Sequence, residues 1–306
     1  MRSLRDSNEV RDDPDALAER LREEGYVYLP GALDRARVEA VSADLRAALH
    51  RVGWLDEPGT TRVRARDRKF TGESLSGGYA ALQSVESFHA LAHDQVLLDI
   101  TSGLIGGPVF CHPAHVGRVA FPVDGPAGFF TRPHQDFSVL HVTTDVLTIW
   151  IPFTPCSGDH QGLCILPGSH REGFRVPDPT MGGARPLYMR EEPQDPRWAT
   201  ADYQLGDIVV FHSLTVHGSM ANLSDAVRLS ADIRYQLPTD PIRPEFLHPH
   251  GWPRTPDWPE LTQGWTSQRW ISTPADVPQI PTPPGLDYLE MLQQIEPPPS
   301  RILSGS

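Results

Sequence analysis

The amino-acid sequence predicts an all-β core, a sandwich or barrel, with helices flanking it. Two observations carry this. From residue 109 onward, short segments rich in Val, Ile, Phe and Thr alternate with Gly/Pro/Asp turns, the pattern of many short paired strands. Before that point, apolar residues recur at helical rather than strand spacing. The chain of 306 residues is expected to form one domain, 1–306. Its parts are a mainly helical 1–105, a β core over 106–237 and a Pro/Trp-rich extension over 238–306.

In chain order, residues 1–12 read as a disordered leader. Asp13-Pro14 opens a helix, with Asp as N-cap and Pro at the first helical position. Leu17 and Leu21 form its apolar face and Gly25 closes it. Tyr26-Val27-Tyr28-Leu29 reads as a strand. Asp34 caps a second helix, with Val38, Val41, Leu45, Leu49 and Val52 at helical spacing, ended by Gly53. Residues 54–80 are polar, with Arg62, Arg64, Arg66 and Arg68 at period two, a solvated face or an anion-binding one. One further helix is expected over 88–104. The strands follow as Val116–Phe121, Val146–Phe153, Gly162–Pro167, Ile208–Phe211 and Arg228–Leu237. Residues 173–202 interrupt them with a stretch too long for an ordinary connection, so a lid or binding loop is expected there. It carries Arg175, Arg185, Arg190 and Arg197 and the pair Gly182-Gly183. The extension holds 15 of the 31 prolines and four of the seven tryptophans. Irregular chain strapped over the core is expected, finished by a short helix near Leu286–Ile295.

Composition narrows the function. With 39% hydrophobic and 22% charged residues, bulk disorder is excluded. A net charge of −12 argues against nucleic acid as a partner. No apolar run reaches the ~18 residues of a membrane helix, and the charged start lacks a secretory apolar stretch. Cys111, Cys156 and Cys164 are too few and odd in number for a disulfide framework, so a reducing cytoplasm is expected. The sequon Asn222-Leu223-Ser224 reads as fortuitous without an export signal.

One constellation carries chemistry. His134 and Asp136 lie at i and i+2, so in an extended segment both point to one face and can chelate one ion. Taken alone, the pair reads equally well as a surface hydrogen bond. The third element is His217, just past the buried strand Ile208–Phe211 and flanked by Gly218 and Ser219. Two histidines and one carboxylate on one face form the facial triad of non-haem Fe(II) oxygenases. Zinc with one open position fits the same residues, which leaves a hydrolase open. Eleven residues on, Arg228 starts a strand whose alternation puts Arg228, Ser230, Asp232 and Arg234 on one face. An arginine turned into an enclosed site suits a carboxylate. Parity does not separate Arg228 from Arg234; closeness to His217 favours Arg228.

Taken together, the ordered blocks resemble the phytanoyl-CoA dioxygenase family of Fe(II)/2-oxoglutarate-dependent oxygenases, over roughly residues 14 to 237. They are Gly25 through Gly31, His134-Gln135-Asp136-Phe137, Leu147 through Phe153, Gly162 through His170, and Gly206-Asp207 through His217-Gly218-Ser219. The resemblance implies a double-stranded β-helix (jelly roll, cupin-like) with iron on His134, Asp136 and His217. It implies that Arg228 grips the distal carboxylate of 2-oxoglutarate and that Ser219, Trp150 and Thr131 line the cosubstrate pocket. Fe(II), 2-oxoglutarate and O2 are then the cofactor set, and a small molecule is the substrate, with hydroxylation of an aliphatic C–H the expected outcome and secondary metabolism one setting. Asp136 as a carboxylate argues against halogenation, which in related enzymes needs that position vacated. Desaturation, cyclisation or epimerisation use the same triad. A zinc or manganese hydrolase or isomerase on a cupin-like barrel is the rival from another class, and a barrel that has lost turnover is a second.

Other candidates have plainer readings. His170 is a fourth ligand or, preferably, turn packing. His112, His115, His141, His160 and His212 read as hydrogen-bonded core histidines. Arg118 meets an anionic substrate or sits on an exposed strand face. Trp252, Trp258, Trp265 and Trp270 are expected to pack the extension onto the barrel.

Overall fold

The computed structural model describes residues 1–62, 73–124, 128–158, 162–182, 187–251, 254–282 and 287–304. Its strands are β1 (Arg2–Ser3), β2 (Tyr26–Leu29), β3 (Phe110–Cys111), β4 (Val116–Ala120), β5 (Phe129–His134), β6 (Leu147–Pro152), β7 (Leu163–Ile165), β8 (Ala199–Thr200), β9 (Ile208–His212), β10 (His217–Met220) and β11 (Arg228–Gln236). Its α-helices are α1 (Pro14–Glu24), α2 (Arg35–Arg51), α3 (Glu73–Gln83), α4 (Glu86–Leu91), α5 (Gln95–Ile105), α6 (Phe137–Leu140), α7 (Trp258–Leu261), α8 (Tyr288–Gln294) and α9 (Arg301–Ser304).

The strands form two sheets, ordered β1-β8-β7-β10-β5 and β2-β9-β6-β11-β3, with β4 also on β11. This is the cupin-like jelly roll, left as two sheets rather than a closed barrel. The alternation along β11 sorts its side chains as expected. Leu229, Ala231, Ile233 and Tyr235 join the main apolar core with α1, α2, α4 and α5, while Arg228, Ser230 and Asp232 line a cleft on the other face.

The N-terminal helices follow their caps. Asp13 accepts from the amides of Asp15 and Ala16, and Gly25 ends α1 at φ 80°, a left-handed conformation that favours glycine. Asp34 caps α2 through the amide of Arg37. The helix expected over 88–104 is instead two, because Asp94 caps a new start at α5 by accepting from the amide of Val96. Helix α3 falls in the stretch read as polar irregular chain. Its Gly77-Gly78 pair lowers helix propensity, but the Trp54 indole occupies the place a side chain at Gly78 would take. Arg64, Arg66 and Arg68 lie outside the described residues, and Arg62 is exposed near Asp225, at 3.8 Å.

Residues 1–12 are not a loose leader. β1 pairs in parallel with β8, Leu4 is buried, and the Ser7 amide donates to the Tyr28 carbonyl at 2.9 Å. The charged side chains stay outside while the backbone pairs, so composition carried no sign of this.

Three tryptophans of the extension pack on the helical layer, while Ile242, Phe246 and Ser300 reach the strand side at Phe110 and His212. Trp265 Nε1 donates to the Ser84 carbonyl at 2.9 Å and Trp270 Nε1 to Glu86 at 3.1 Å. Trp258 donates to Leu247 at 2.7 Å and meets the His89 ring edge-on. The helix expected near Leu286–Ile295 is α8, and the short α9 follows it; Trp252 and Leu286 lie outside the described residues. All three cysteines are free and buried. Among the described residues, no helix is long and apolar enough to cross a membrane. Asn222 is buried and its amide braces the carbonyls of Ala120 and Ala226, so the sequon serves the fold.

Candidate metal centre

The site forms where β5 ends against the start of β10. His134 and His217 are register partners on these antiparallel neighbours, with ring centroids 4.3 Å apart. The intervening approach is close. A side chain at Gly218 would begin 2.8 Å from the Thr131 carbonyl oxygen, so the strands can run side by side only with glycine there. Two residues past His134, Asp136 opens α6 and turns inward. One ligand atom from each of His134, Asp136 and His217 lies within 4.8 Å of the others, and all three residues are buried.

The local hydrogen bonds set the tautomers. His134 Nδ1 donates to the Arg132 carbonyl at 2.9 Å and His217 Nδ1 to the Thr215 carbonyl at 3.0 Å. Each Nε2 lone pair is left toward Asp136 Oδ1, at 3.9 and 4.0 Å. Burial pushes the His134 imidazole down to about 3, with His217 adding to it, and burial lowers His217 against the pull of Asp136. Burial alone would raise the Asp136 carboxyl. The Arg234 guanidinium, then the two histidines, overcome this and hold it well below the usual carboxylate range. Two neutral imidazoles and one carboxylate are the donor set a divalent cation needs, so the residues fit an iron ion.

A narrow cleft opens from this cluster, lined by Arg118, Thr131, Trp150, Ser219 and Arg228 among others. Ser219 Oγ accepts from the Thr131 amide at 3.2 Å. Arg228 is buried and donates to the Met220 carbonyl at 2.8 Å and to Ser219 Oγ at 3.2 Å. The Trp150 ring meets Tyr203 at a tilt of 57°, with centroids 4.6 Å apart. A buried guanidinium lining a small cleft fits a carboxylate such as those of 2-oxoglutarate. The two arginines that parity left together differ in what they bind. Arg234 makes two hydrogen bonds to Asp136, whereas Arg228 borders the cleft. Asp232 pairs with Arg118 at 2.5 Å rather than with Arg234, and Arg118 reaches the cleft instead of an exposed strand face.

Several histidines take the plainer reading. His170 Nε2 donates to the Arg22 carbonyl at 2.9 Å, away from the triad. His112 donates to Gln236 at 2.7 Å, and His212 to Ser300 at 3.1 Å. His115 stacks on His89 at 4.6 Å, and His141 meets the Tyr288 ring. His160 lies outside the described residues.

The 173–202 segment runs beside the His134 strand. The Met189 amide donates to the Pro133 carbonyl at 2.7 Å, and the Tyr188 ring stands edge-on to His134 at 6.1 Å. Its arginines are engaged within the segment itself: Arg175 with Glu191, Arg190 with Asp178 and Arg197 with Asp195. Gly183 and Arg185 lie outside the described residues.

Gln135 and Thr148 escaped the sequence reading, and Arg234 stood in it only as the alternative to Arg228. Gln135, between two candidate ligands, donates to the carbonyls of Gly173 and Leu214 and accepts from the Arg175 amide. It ties the segment start and the His217 loop to the site. Its opposite strand parity was the available signal. Thr148 and Arg234 hold Asp136, and nothing local in the sequence pairs them with it.

A jelly roll with two histidines and a carboxylate gathered at one buried point defines the class of mononuclear non-haem iron oxygenases. The chain belongs to the phytanoyl-CoA dioxygenase (PhyH) family, whose profile matches residues 21–230. It is accordingly an Fe(II)/2-oxoglutarate-dependent dioxygenase, with iron and 2-oxoglutarate as cofactor and cosubstrate; the hydrolase alternative falls. Two 1-deoxypentalenic acid 11-beta-hydroxylases are similar to it. The one from Streptomyces exfoliatus is 29% identical over 266 residues, 83% of this chain and 89% of that protein. The one from Streptomyces arenae is 28% identical over 271 residues, with the same coverage. Among solved structures, the epimerase SnoN with Fe3+, alpha ketoglutarate and nogalamycin RO matches with a TM-score of 0.55 at 23% identity, over 76% of this chain and 87% of that one. The carbocyclase SnoK matches with a TM-score of 0.53 at 22% identity, over 75% and 86%. These two establish likeness of fold.

Proposed function

We propose that His134, Asp136 and His217 hold the iron, that Arg228 receives the distal carboxylate of 2-oxoglutarate, with Ser219, Thr131 and Trp150 as the surrounding wall, and that the enzyme hydroxylates an aliphatic C–H of a small molecule. The observation that carries this is the convergence of three buried ligand atoms beside a cleft that a buried arginine also lines. When bound, iron and cosubstrate let O2 convert 2-oxoglutarate to succinate and CO2, with the second oxygen atom passing to the substrate C–H. The protein's own part is to orient and to exclude water. Neutral His134 and His217 offer lone pairs without first losing a proton, and the ionised Asp136 supplies the one negative charge. The buried walls of Trp150 and Leu163 keep bulk water from the cleft.

The relatives named as hydroxylases of 1-deoxypentalenic acid make a ring-bearing carboxylic acid the first substrate class to test. The test incubates iron-loaded enzyme with 2-oxoglutarate, O2 and 1-deoxypentalenic acid or other such acids, and measures substrate-stimulated succinate and the product mass. A gain of one oxygen atom is expected. Succinate coupled to loss of two hydrogens, or to no mass change, would replace hydroxylation by desaturation or cyclisation, or by epimerisation. Three free, buried thiols support a cytoplasmic setting; fractionation of the producing cell checks it, and recovery outside the cytoplasm would overturn it.

A further inference from the structure

Asp136 is gripped by the protein at both oxygens. Thr148 Oγ1 donates to Oδ2 at 2.6 Å. Arg234 donates from Nε to the same oxygen at 3.2 Å and from Nη2 to Oδ1 at 3.0 Å. Oδ1 is the oxygen that faces Nε2 of both histidines. The two donors are register partners across β6 and β11, so one rung of the second sheet presents both to a carboxylate that follows the first sheet's β5. The guanidinium itself lies over the Phe246 ring, 5.7 Å from its centroid. All of these side chains are buried, so water does not compete for Oδ2.

We propose that Thr148 and Arg234 are positioning residues that make Asp136 a one-oxygen metal ligand. Together they put two donors on Oδ2, while Oδ1 accepts one bond from Arg234 and keeps a lone pair for the ion. This rests on the assignment of His134, Asp136 and His217 as ligands. Carboxylates bind cations through one oxygen or through both. A facial triad leaves three of six positions open; binding through both oxygens would take one of them, the 2-oxo acid takes two, and none would remain for O2. The rung therefore protects the position for O2 rather than metal or cosubstrate binding.

That distinction gives the test. Wild type, Thr148→Val, Thr148→Ser and Arg234→Lys are titrated with Co(II), by calorimetry and by the visible Co(II) spectrum, and the Fe(II)-loaded proteins with saturating 2-oxoglutarate are then titrated under argon with nitric oxide, a probe for the position O2 takes. Thr148→Val keeps the side-chain shape but removes the donor. It is expected to bind Co(II) as tightly as wild type or tighter, to show an altered Co(II) spectrum, and to bind nitric oxide at least about 10-fold more weakly, the low end of what losing a ligand's hydrogen-bond partner costs a metal site. Thr148→Ser restores all three. Arg234→Lys, which keeps the charge but not the two-point fork, shifts in the same direction; if it does not fold, Thr148→Val alone decides. A merely structural role would lower melting temperature, Co(II) affinity and nitric oxide affinity together, and that parallel loss would overturn the proposal, as would wild-type behaviour of Thr148→Val. His217→Ala separates the two readings. If it binds Co(II) normally, the ligand assignment fails and the clamp with it. If it loses Co(II) while Thr148→Val behaves as wild type, only the clamp fails.

Discussion

Arg228 and Ser219 come from different sheets and meet in the wall of the cleft, Nη2 to Oγ at 3.2 Å. The same guanidinium donates to the Met220 carbonyl and lies 5.6 Å from the Phe130 ring centroid. An anion arriving there meets a cation already held in place, so little ordering accompanies binding.

Removing that cation has a specific expected result. Arg228→Ala weakens 2-oxoglutarate binding by about 10–150-fold, the equivalent of ~1.5–3 kcal/mol for a charge-assisted hydrogen bond. Metal affinity and the spectrum of the metal-loaded protein stay unchanged, which separates it from variants at Asp136. Calorimetric titration of the Mn(II)-loaded variant checks this, and unaltered 2-oxoglutarate affinity would sink the assignment.

The three candidate ligands differ in what their loss does to the fold. His134→Ala and His217→Ala each remove metal binding and turnover while the protein stays folded, because each imidazole spends only one hydrogen bond on the backbone. Asp136→Ala also removes metal binding, but it leaves Arg234 buried without its carboxylate. Breaking one partner of a buried pair costs ~3–5 kcal/mol, so a clear fall in melting temperature accompanies the loss. Metal content by atomic absorption and thermal melts of the metal-free proteins check both halves. An Asp136→Ala variant as stable as His217→Ala would contradict the ion pair.

How much of this the sequence disclosed follows from the range of each interaction. His134 and Asp136 share a face by strand parity, a local property, and Arg228 lies close to His217 in the chain. The caps at Asp13 and Asp34 are local too. By contrast Arg234 and Asp136 are 98 positions apart. Parity placed both arginines on one face, but only the register of β11 on β6 decides which reaches Asp136. The tryptophans of the extension showed that something is covered, not that the cover lies on α4. Residues 1–12 look solvated because their side chains are, while their backbone completes a sheet edge.

Buried neutral histidines give the fold an acid limit. Burial pushes His89, His112 and His212 each down to about 3. In the unfolded chain they titrate near 6.5. Their contribution is fully present above that value and is lost as pH falls from it toward about 3, since only the unfolded state takes up the protons. Each contributes up to ~1.4 kcal/mol per pH unit. Urea unfolding of the metal-free protein between pH 7.5 and about 4.5, above the range where most carboxylates titrate, is expected to show steadily falling stability below 6.5. A flat profile over that interval would mean that these histidines are charged or exposed.

Asp145 joins the end of the chain to the strand that carries Thr148 and Trp150. Its carboxylate is buried beside the start of β6, and it accepts from Ser300 Oγ at 2.6 Å and from the amides of Arg301 and Ile302 at 3.1 and 3.4 Å. The Arg301 side chain adds an ion pair at 3.3 Å and reaches Asp240 as well. Ile302 is buried in the main core. Deleting residues 299–306 would therefore leave a buried carboxylate without these donors and open an apolar slot. An unpaired buried charge costs ~3–5 kcal/mol, and an emptied isoleucine site ~2–5 kcal/mol, partly offset when water enters the opened end. The deletion is expected to lower the melting temperature sharply. Asp145→Asn in the full chain keeps one acceptor and restores a large part of the donors' partners, so its loss is smaller. The strain falls next to β6, so the deletion should also weaken 2-oxoglutarate binding in the metal-loaded protein, whereas Ile302→Ala should destabilise without touching that affinity. Thermal melts and calorimetry on the three variants check this, and a deletion that melts like wild type would show that the chain end does not brace the site.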